Sequence, residues 1–291
     1  MKYFESKVPF YKLKVCMKSN EILKYGNWIT SAIRGSFGNK LISLCCDGSN
    51  NDCINCNILS CSAKKLYGTA SPEDSSQQFN PYVFYCPIIP KCTNTIEFYI
   101  TLFGHGTETI NDVLKVLSTG LDIKGHKFEL TSIIDVFSEN AVFDGYMWIT
   151  PTVHYPNFDC NKDVHKLRLN FISPFNSKQL DRLISFDYIL RASMRRTSSV
   201  LNFYGIECMA DYTELLRASQ SVLLTSADIH LVFNNRFSNR TKLNMSIKGY
   251  IGTLSFDGDI TQFMPFLKFC QLVGIGKLCV MGFGQFEYVI G

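Results

Sequence analysis

The chain has 291 residues, 46% of them hydrophobic and 19% charged. That balance excludes an intrinsically disordered protein, which needs fewer apolar and more charged side chains. The length suits two domains, each able to close its own core. Net charge is +4, and the surplus lies wholly in residues 151–291, with 15 basic against 11 acidic side chains, whereas residues 1–150 carry 14 of each.

In chain order, Tyr11–Lys18 alternates as YKLKVCMK and predicts a first strand, with a turn over Asn20–Trp28. Thr30–Leu44 sets Ile33, Phe37, Leu41 and Leu44 on one stripe, the pattern of an amphipathic helix. A Cys/Asn/Gly/Ser-rich loop follows over Cys45–Cys61, then a polar stretch to about Asn80. Pro81–Ile89 and Thr95–Phe103 read as strands, Thr109–Ser118 as a helix, and Lys127–Phe137 as a strand. Strand, helix, strand, strand, helix, strand is the order of a ferredoxin-like fold. A similar order returns after a linker at Tyr155–Asp163. Val164–Ile172 is strand-like, Ser185–Tyr204 a long helix, Ile229–Phe233 and Thr241–Phe256 strands, Ile260–Val273 a helix and Gly284–Val289 a last strand. Gly249 and Gly252 should bend the run that holds them. The expected class is α+β, with two tandem ferredoxin-like βαββαβ domains over residues 1–155 and 156–291.

The opening segment MKYFESKVPFYKLKV is broken by charges and does not read as a signal peptide. No run approaches the ~18 apolar residues that a membrane helix needs. A soluble, cytoplasmic protein without a membrane partner is expected, and its cysteines should be thiols or metal ligands rather than disulfides. Twelve cysteines are present, seven of them scattered through apolar segments. The other five crowd into one short stretch as Cys45-Cys46, Cys53-x2-Cys56 and Cys61. A Cys-x2-Cys turn holds two thiolates at about the separation that tetrahedral zinc takes. Cys61 and one of Cys45 or Cys46 complete four ligands, and Cys45, Cys53, Cys56 and Cys61 are the expected set. Zinc is expected in a closed structural site; an iron–sulfur cluster fits the same thiolates.

From Ile229 to Phe256 there is no acidic residue, while Arg236, Arg240, Lys242 and Lys248 all fall there. Such local imbalance suits phosphate neutralisation, or simply a solvated basic face. Residues 274–284 hold Gly274, Gly276, Lys277, Gly282 and Gly284 between a helix and a strand. The spacing is neither a P-loop nor a dinucleotide fingerprint. Two readings stand open: glycines that let backbone N–H groups approach phosphate beside Lys277, or a tightly packed crossover with no ligand.

Taken together, several motifs resemble one family. They are Ile33-Arg34-Gly35-Ser-Phe-Gly38, the cysteine loop, Pro81-Tyr82, Leu102-Phe103-Gly104, the Arg195-Arg196 helix, Arg236-Phe-Ser238-Asn-Arg240 and Gly249-Tyr-Ile-Gly252. Gly276-Lys277 and Met281-Gly282-Phe-Gly284-Gln-Phe complete the set. It is similar to the CRISPR-associated endoribonucleases that process repeat transcripts, the Cas-six family of the RAMP superfamily. The resemblance implies two ferredoxin-like domains, a glycine-rich loop contacting RNA between them, and cutting of pre-crRNA without a catalytic metal. In such a reaction a base takes the proton of a ribose 2′-hydroxyl, which attacks the adjacent phosphate, and an acid protonates the leaving 5′-oxygen.

The sequence departs from that family where chemistry is concerned. No histidine lies between Met1 and Phe103, and Gly274 stands where many members carry one. His105, between two glycines, is the histidine most open to catalysis. Lysine and tyrosine offer an alternative, with Lys24, Tyr25, Arg34 and Lys40 around the first helix. The expected catalytic residues are Tyr25, Lys40 and His105. Expected RNA contacts are Lys24, Arg34, Arg191, Arg195, Arg236, Arg240, Lys242, Gly274, Gly276, Lys277, Gly282 and Gly284. CRISPR repeat RNA is the expected partner. A second reading is a non-catalytic crRNA-binding subunit that works with other Cas subunits of an interference complex.

Overall fold

A computed structural model describes the chain except residues 1–2, 5–6, 25–27, 47–52, 54–55, 69–79, 88–91, 177–184 and 239–242, and the side chains of 234–238 and 243–246. Tyr25, Arg240 and Lys242 therefore lie outside the described residues, and Arg236 is placed by its backbone alone. The chain forms two compact units, Val8–Tyr155 and Pro156–Gly291, the second joined by the first seven residues. Tyr3 and Phe4 pack there on Phe158, Phe266 and Phe269.

In the first unit the main elements run β1 (Phe10–Lys24), α1 (Thr30–Cys45), α2 (Ser62–Tyr67), β2 (Tyr82–Tyr85), β3 (Cys92–Phe103), α3 (Ile110–Ser118), β4 (Leu121–Ile123), β5 (His126–Asp135) and β6 (Ala141–Phe143). The sheet order is β2-β3-β1-β5-β4, with β6 also on β5. Removing the short β4 and β6 leaves an antiparallel βαββαβ core. Alternation makes β1 a strand: Leu13, Val15 and Met17 are fully buried, with Lys14 and Cys16 between them only partly covered. It continues to Lys24 through a register shift between Lys18 and Leu23, so most of the expected turn at Asn20–Trp28 is strand. On α1, Ile33, Phe37 and Leu41 recur every four residues and face the core.

The second unit comprises β7 (Lys166–Phe175), α4 (Phe186–Phe203), α5 (Tyr212–Ala218), β8 (Leu223–Ser238), β9 (Leu243–Asp257), α6 (Met264–Val273) and β10 (Phe286–Ile290). Its sheet order is β10-β7-β9-β8. Strand four beside one, then three, then two is the same arrangement as in the first unit, so the fold is a tandem of ferredoxin-like domains. Helix α5 was not expected from the sequence. Asp211 caps it, accepting from the N–H groups of Thr213 and Glu214 at 2.9 and 3.0 Å. β8 and β9 form a long hairpin in which Phe233 faces Lys248 and Arg236 faces Met245. At Gly252, φ is +115 and a Cβ would come 2.2 Å from the Asp228 carbonyl oxygen, so only glycine fits the bend.

Candidate functional site

The glycine-rich loop is built against the end of β7. The Gly284 N–H donates to the Pro174 carbonyl at 2.9 Å, the Lys277 N–H to the Asn176 carbonyl at 2.8 Å, and the Ile275 N–H to the Gly284 carbonyl at 2.9 Å. Asn176 is itself tied to β9 through its side-chain amide, which donates to the Lys248 carbonyl at 2.6 Å. Gly274, Gly276, Gly282 and Gly284 all take positive φ, as does Leu278. A Cβ on Gly284 would stand 1.8 Å from the Ile275 carbonyl oxygen, and one on Gly276 2.3 Å from that of Asn176. The glycines therefore serve the crossover's own packing. Within the same loop, the N–H groups of Gly276, Leu278 and Val280 find no acceptor among the described residues, and Lys277 is exposed. Packing and anion approach thus use different atoms of one loop.

Of the other expected RNA contacts on this unit, Arg191 is exposed and donates from Nε to Asp187 at 3.2 Å. Arg195 is exposed one turn further along α4. Arg196 turns inward and donates from Nε and Nη2 to the Val273 carbonyl at 3.3 and 3.1 Å.

In the first unit, Arg34 on α1 is held between the ring of Tyr67 and the fully buried ring of Tyr82. Its guanidinium carbon lies 5.3 Å from the Tyr67 ring centre and 5.6 Å from that of Tyr82, and its Nε donates to the Tyr82 hydroxyl at 2.9 Å. Cation–π contact and a hydrogen bond commit Arg34 to α2 and β2. Gly38, one turn along α1, makes room: a Cβ there would meet the Tyr67 hydroxyl at 2.9 Å. Burial pushes the Tyr67 phenol well above its usual range, so it stays protonated. His105 sits in a 3-10 turn (Gly104–Thr109) with Nε2 3.2 Å from the Lys65 carbonyl of α2. A ring nitrogen facing a carbonyl is the donor, which leaves Nδ1 to accept. Burial holds the ring's pKa below the ordinary histidine value, against the opposing pull of that carbonyl. Lys65 in turn pairs with Glu108 at 2.5 Å. α2 is therefore the hub that gathers Arg34 and His105. Lys40 lies six residues beyond Arg34 on α1, about 240° round the helix and off that face. Lys24 is exposed at the end of β1, opposite Cys92.

The cysteine loop joins α1 to α2. The Cys61 thiol, at the N-cap of α2, donates to the Cys45 carbonyl at 3.6 Å. The Ile58 N–H donates to the Cys56 sulfur at 3.5 Å. Burial, with Asp112 nearby, holds the Cys45 thiol above its usual pKa. Among the described residues, no three cysteine, histidine or acidic side chains already converge on one metal position.

Sequence reading gave no role to Asp135. Its carboxylate is 2% exposed and accepts from the Phe137 N–H, the Ser138 hydroxyl and His154 Nε2, the last at 2.8 Å. Through His154 it fastens the segment leaving the first unit, and no local pattern announces a pair so far apart in sequence.

Residues 169–286 match the family model of the CRISPR-associated endoribonuclease Cas6, and residues 8–148 match a model described as an N-terminal domain. No curated protein matches the sequence. Among solved structures, the chain is similar to a partial Cas6-RT-Cas1–Cas2 complex, with a TM-score of 0.62, 11% identity, and coverage of 100% of this chain and 47% of that one. It spans 30% of the matched chain in a second Cas6-RT-Cas1–Cas2 complex. It is also similar to Thermus thermophilus Cas6, with a TM-score of 0.59, 12% identity and coverage of 97% and 99%. At such identities these likenesses speak for the fold. The class defined by fold and loop is the tandem ferredoxin-like protein with a glycine-rich crossover ahead of its last strand. Within that class, it is the second unit, over residues 169–286, that matches the model of the CRISPR-associated Cas6 endoribonuclease.

Proposed function

We propose that the chain binds CRISPR repeat RNA and cuts it by attack of a ribose 2′-hydroxyl on the neighbouring phosphate, giving mature crRNA without a catalytic metal. The observation that carries this reading is the glycine-rich loop, which lies within the Cas6 match and presents unpartnered N–H groups beside an exposed lysine. Oriented N–H dipoles and one cation suit a phosphate whose negative charge grows in the transition state. Lys277 with Gly274, Gly276, Gly282 and Gly284 form this contact, and Arg191, Arg195, Arg236, Arg240 and Lys242 extend it along the RNA backbone. On the first unit, taken by itself, exposed Lys24 is the candidate phosphate contact, and Arg34 is a weaker one because Tyr67 and Tyr82 already hold it. His105 is the base candidate, because burial depresses its basicity and keeps the ring neutral near pH 7. Tyr25 and Lys40 are the alternatives. The test is incubation of purified protein with a labelled repeat RNA in magnesium-free buffer. One defined cut supports the reading, and its loss in H105A or K40A assigns the chemistry.

The tie between His105 and Lys65 favours a second reading, since that ring is already engaged. Here the chain is a non-catalytic crRNA-binding subunit working with other Cas proteins. Tight, repeat-specific binding by folded protein with no cut would establish it in place of the first.

We also propose that Cys45, Cys53, Cys56 and Cys61 hold a structural zinc, with an iron–sulfur cluster as the alternative. Four soft thiolates on one short loop support it, as do the proximity of Cys61 to Cys45 and the N–H aimed at the Cys56 sulfur. Binding must draw the Cys53–Cys56 turn onto the other two sulfurs. Cobalt substitution tests this: one equivalent should give the absorption of tetrahedral thiolate cobalt, lost in C53S/C56S. Metal-free protein that takes up no cobalt would refute the site.

A further inference from the structure

Side chains advance about 100° per residue on α4, so Arg191 and Arg195 lie about 40° apart while Arg196 stands about 100° further round. That step takes Arg196 to the face of Ile189, Ser193 and Val200, which is buried. There it meets the carbonyl end of α6. Two of its N–H groups, on Nε and Nη2, donate to one acceptor, the Val273 carbonyl. α6 has no basic residue in its own last turn, so the negative end of its dipole is met by an arginine from another helix. Val273 is the residue before Gly274, where φ swings to +77 and the glycine-rich loop begins.

The surroundings leave the charge of Arg196 in place. The thiols of Cys270 and Cys279 are close enough to feel it, yet burial dominates and keeps both neutral, with Cys270 pushed up to about 12. No carboxylate forms a salt bridge with Arg196 among the described residues. The Arg196 guanidinium, turned to the carbonyl end of α6, therefore stands where the loop begins whose Gly276, Leu278 and Val280 N–H groups find no acceptor among the described residues.

We propose that Arg196 is a positioning residue for RNA binding. It anchors the carbonyl end of α6, and so holds residues 274–284 in the form that leaves those three N–H groups open, without touching the RNA itself. The inference rests on the reading of this loop as an RNA-binding element.

The experiment measures affinity for a repeat RNA carrying a 2′-deoxy block at several salt concentrations. The proteins are wild type, K277A, and R196M and R196K each in the K277A background, with folding checked by thermal unfolding. A phosphate-contacting cation contributes about one unit to the slope of log K against log salt. K277A should lower that slope by about one. R196M should then weaken binding about tenfold, the scale of a lost charge-assisted hydrogen bond, with no further change of slope. R196K, which keeps the charge and one donor, should fall between the two; it decides the matter if R196M does not fold. A further drop of about one in slope would overturn the proposal and make Arg196 a direct phosphate contact. Unchanged affinity in a folded Arg196 variant would overturn it too, leaving only a helix cap. If K277A changes neither affinity nor slope, the reading of the loop itself fails, which is a separate result.

Discussion

A single methyl group separates two kinds of glycine in this chain. At Gly284 the added Cβ would collide with the Ile275 carbonyl at a backbone φ of +67, whereas at Gly35, inside α1, it would meet nothing within 4 Å. G284A should therefore destabilise the protein by more than about 1 kcal/mol, the scale of a strained φ alone. G35A should stabilise it by roughly 0.5–1 kcal/mol, the helix-propensity difference. Urea unfolding of both variants checks the pair. His105 makes a prediction with a sign. Its folded pKa lies below the ordinary 6.5 because burial disfavours the charged ring. The unfolded chain then takes up the proton first, so the stability that neutral His105 contributes is present above about pH 6.5 and is lost as pH falls through it. H105Q should flatten that part of the stability–pH curve; a curve identical to wild type would contradict the buried, neutral ring. These residue roles were only partly legible. Arg196 could have been read as inward-facing, since it stands seven residues after Ile189 and four before Val200. The Arg34 cage could not, because Tyr67 and Tyr82 both lie beyond the whole cysteine loop, outside any local pattern.

Among the elements, α2 is the one whose stability is borrowed. Six residues do not hold a helix on their own. α2 relies on Ser62 bonding Asp112, Lys65 pairing with Glu108, and the cysteine loop that leads into it. Stripping the proposed metal should speed amide exchange at Lys65 and Gly68, whose N–H groups close this helix, while β1 and β3 keep their protection. His105 should respond as well, its pKa rising toward 6.5 as the turn opens, which an NMR titration would follow. Equal exchange with and without metal would separate the cysteines from α2. Helical stripes made α1, α3, α4 and α6 readable to within a few residues, and alternation found the start of β1, though not its last six residues beyond Lys18. α5 escaped because seven residues offer too little periodicity, although Asp211 followed by Glu214 is a helix-start signal. β4 and β6 escaped because three residues carry no pattern at all.

For the whole molecule, the tandem was legible because the same order of strands and helices occurs twice, and order alone limits the sheet to few pairings. The placement of Tyr3 and Phe4 was not, since they pack on Phe158, Phe266 and Phe269, rings that belong to the second half of the chain. Function lies between these cases. The glycine-rich loop announces a close approach of backbone, and only the structure separates the N–H groups spent on packing from those left open. The central claim is that this chain cuts RNA with the substrate's own 2′-hydroxyl. The most direct measurement compares a repeat RNA with the same RNA lacking that one hydroxyl at the cut position, and identifies the new ends by mass spectrometry. The account predicts a 2′,3′-cyclic phosphate on the 5′ fragment of the normal RNA and no cut of the deoxy RNA. Equal cutting of both, or a 3′-hydroxyl at the new end, would contradict it.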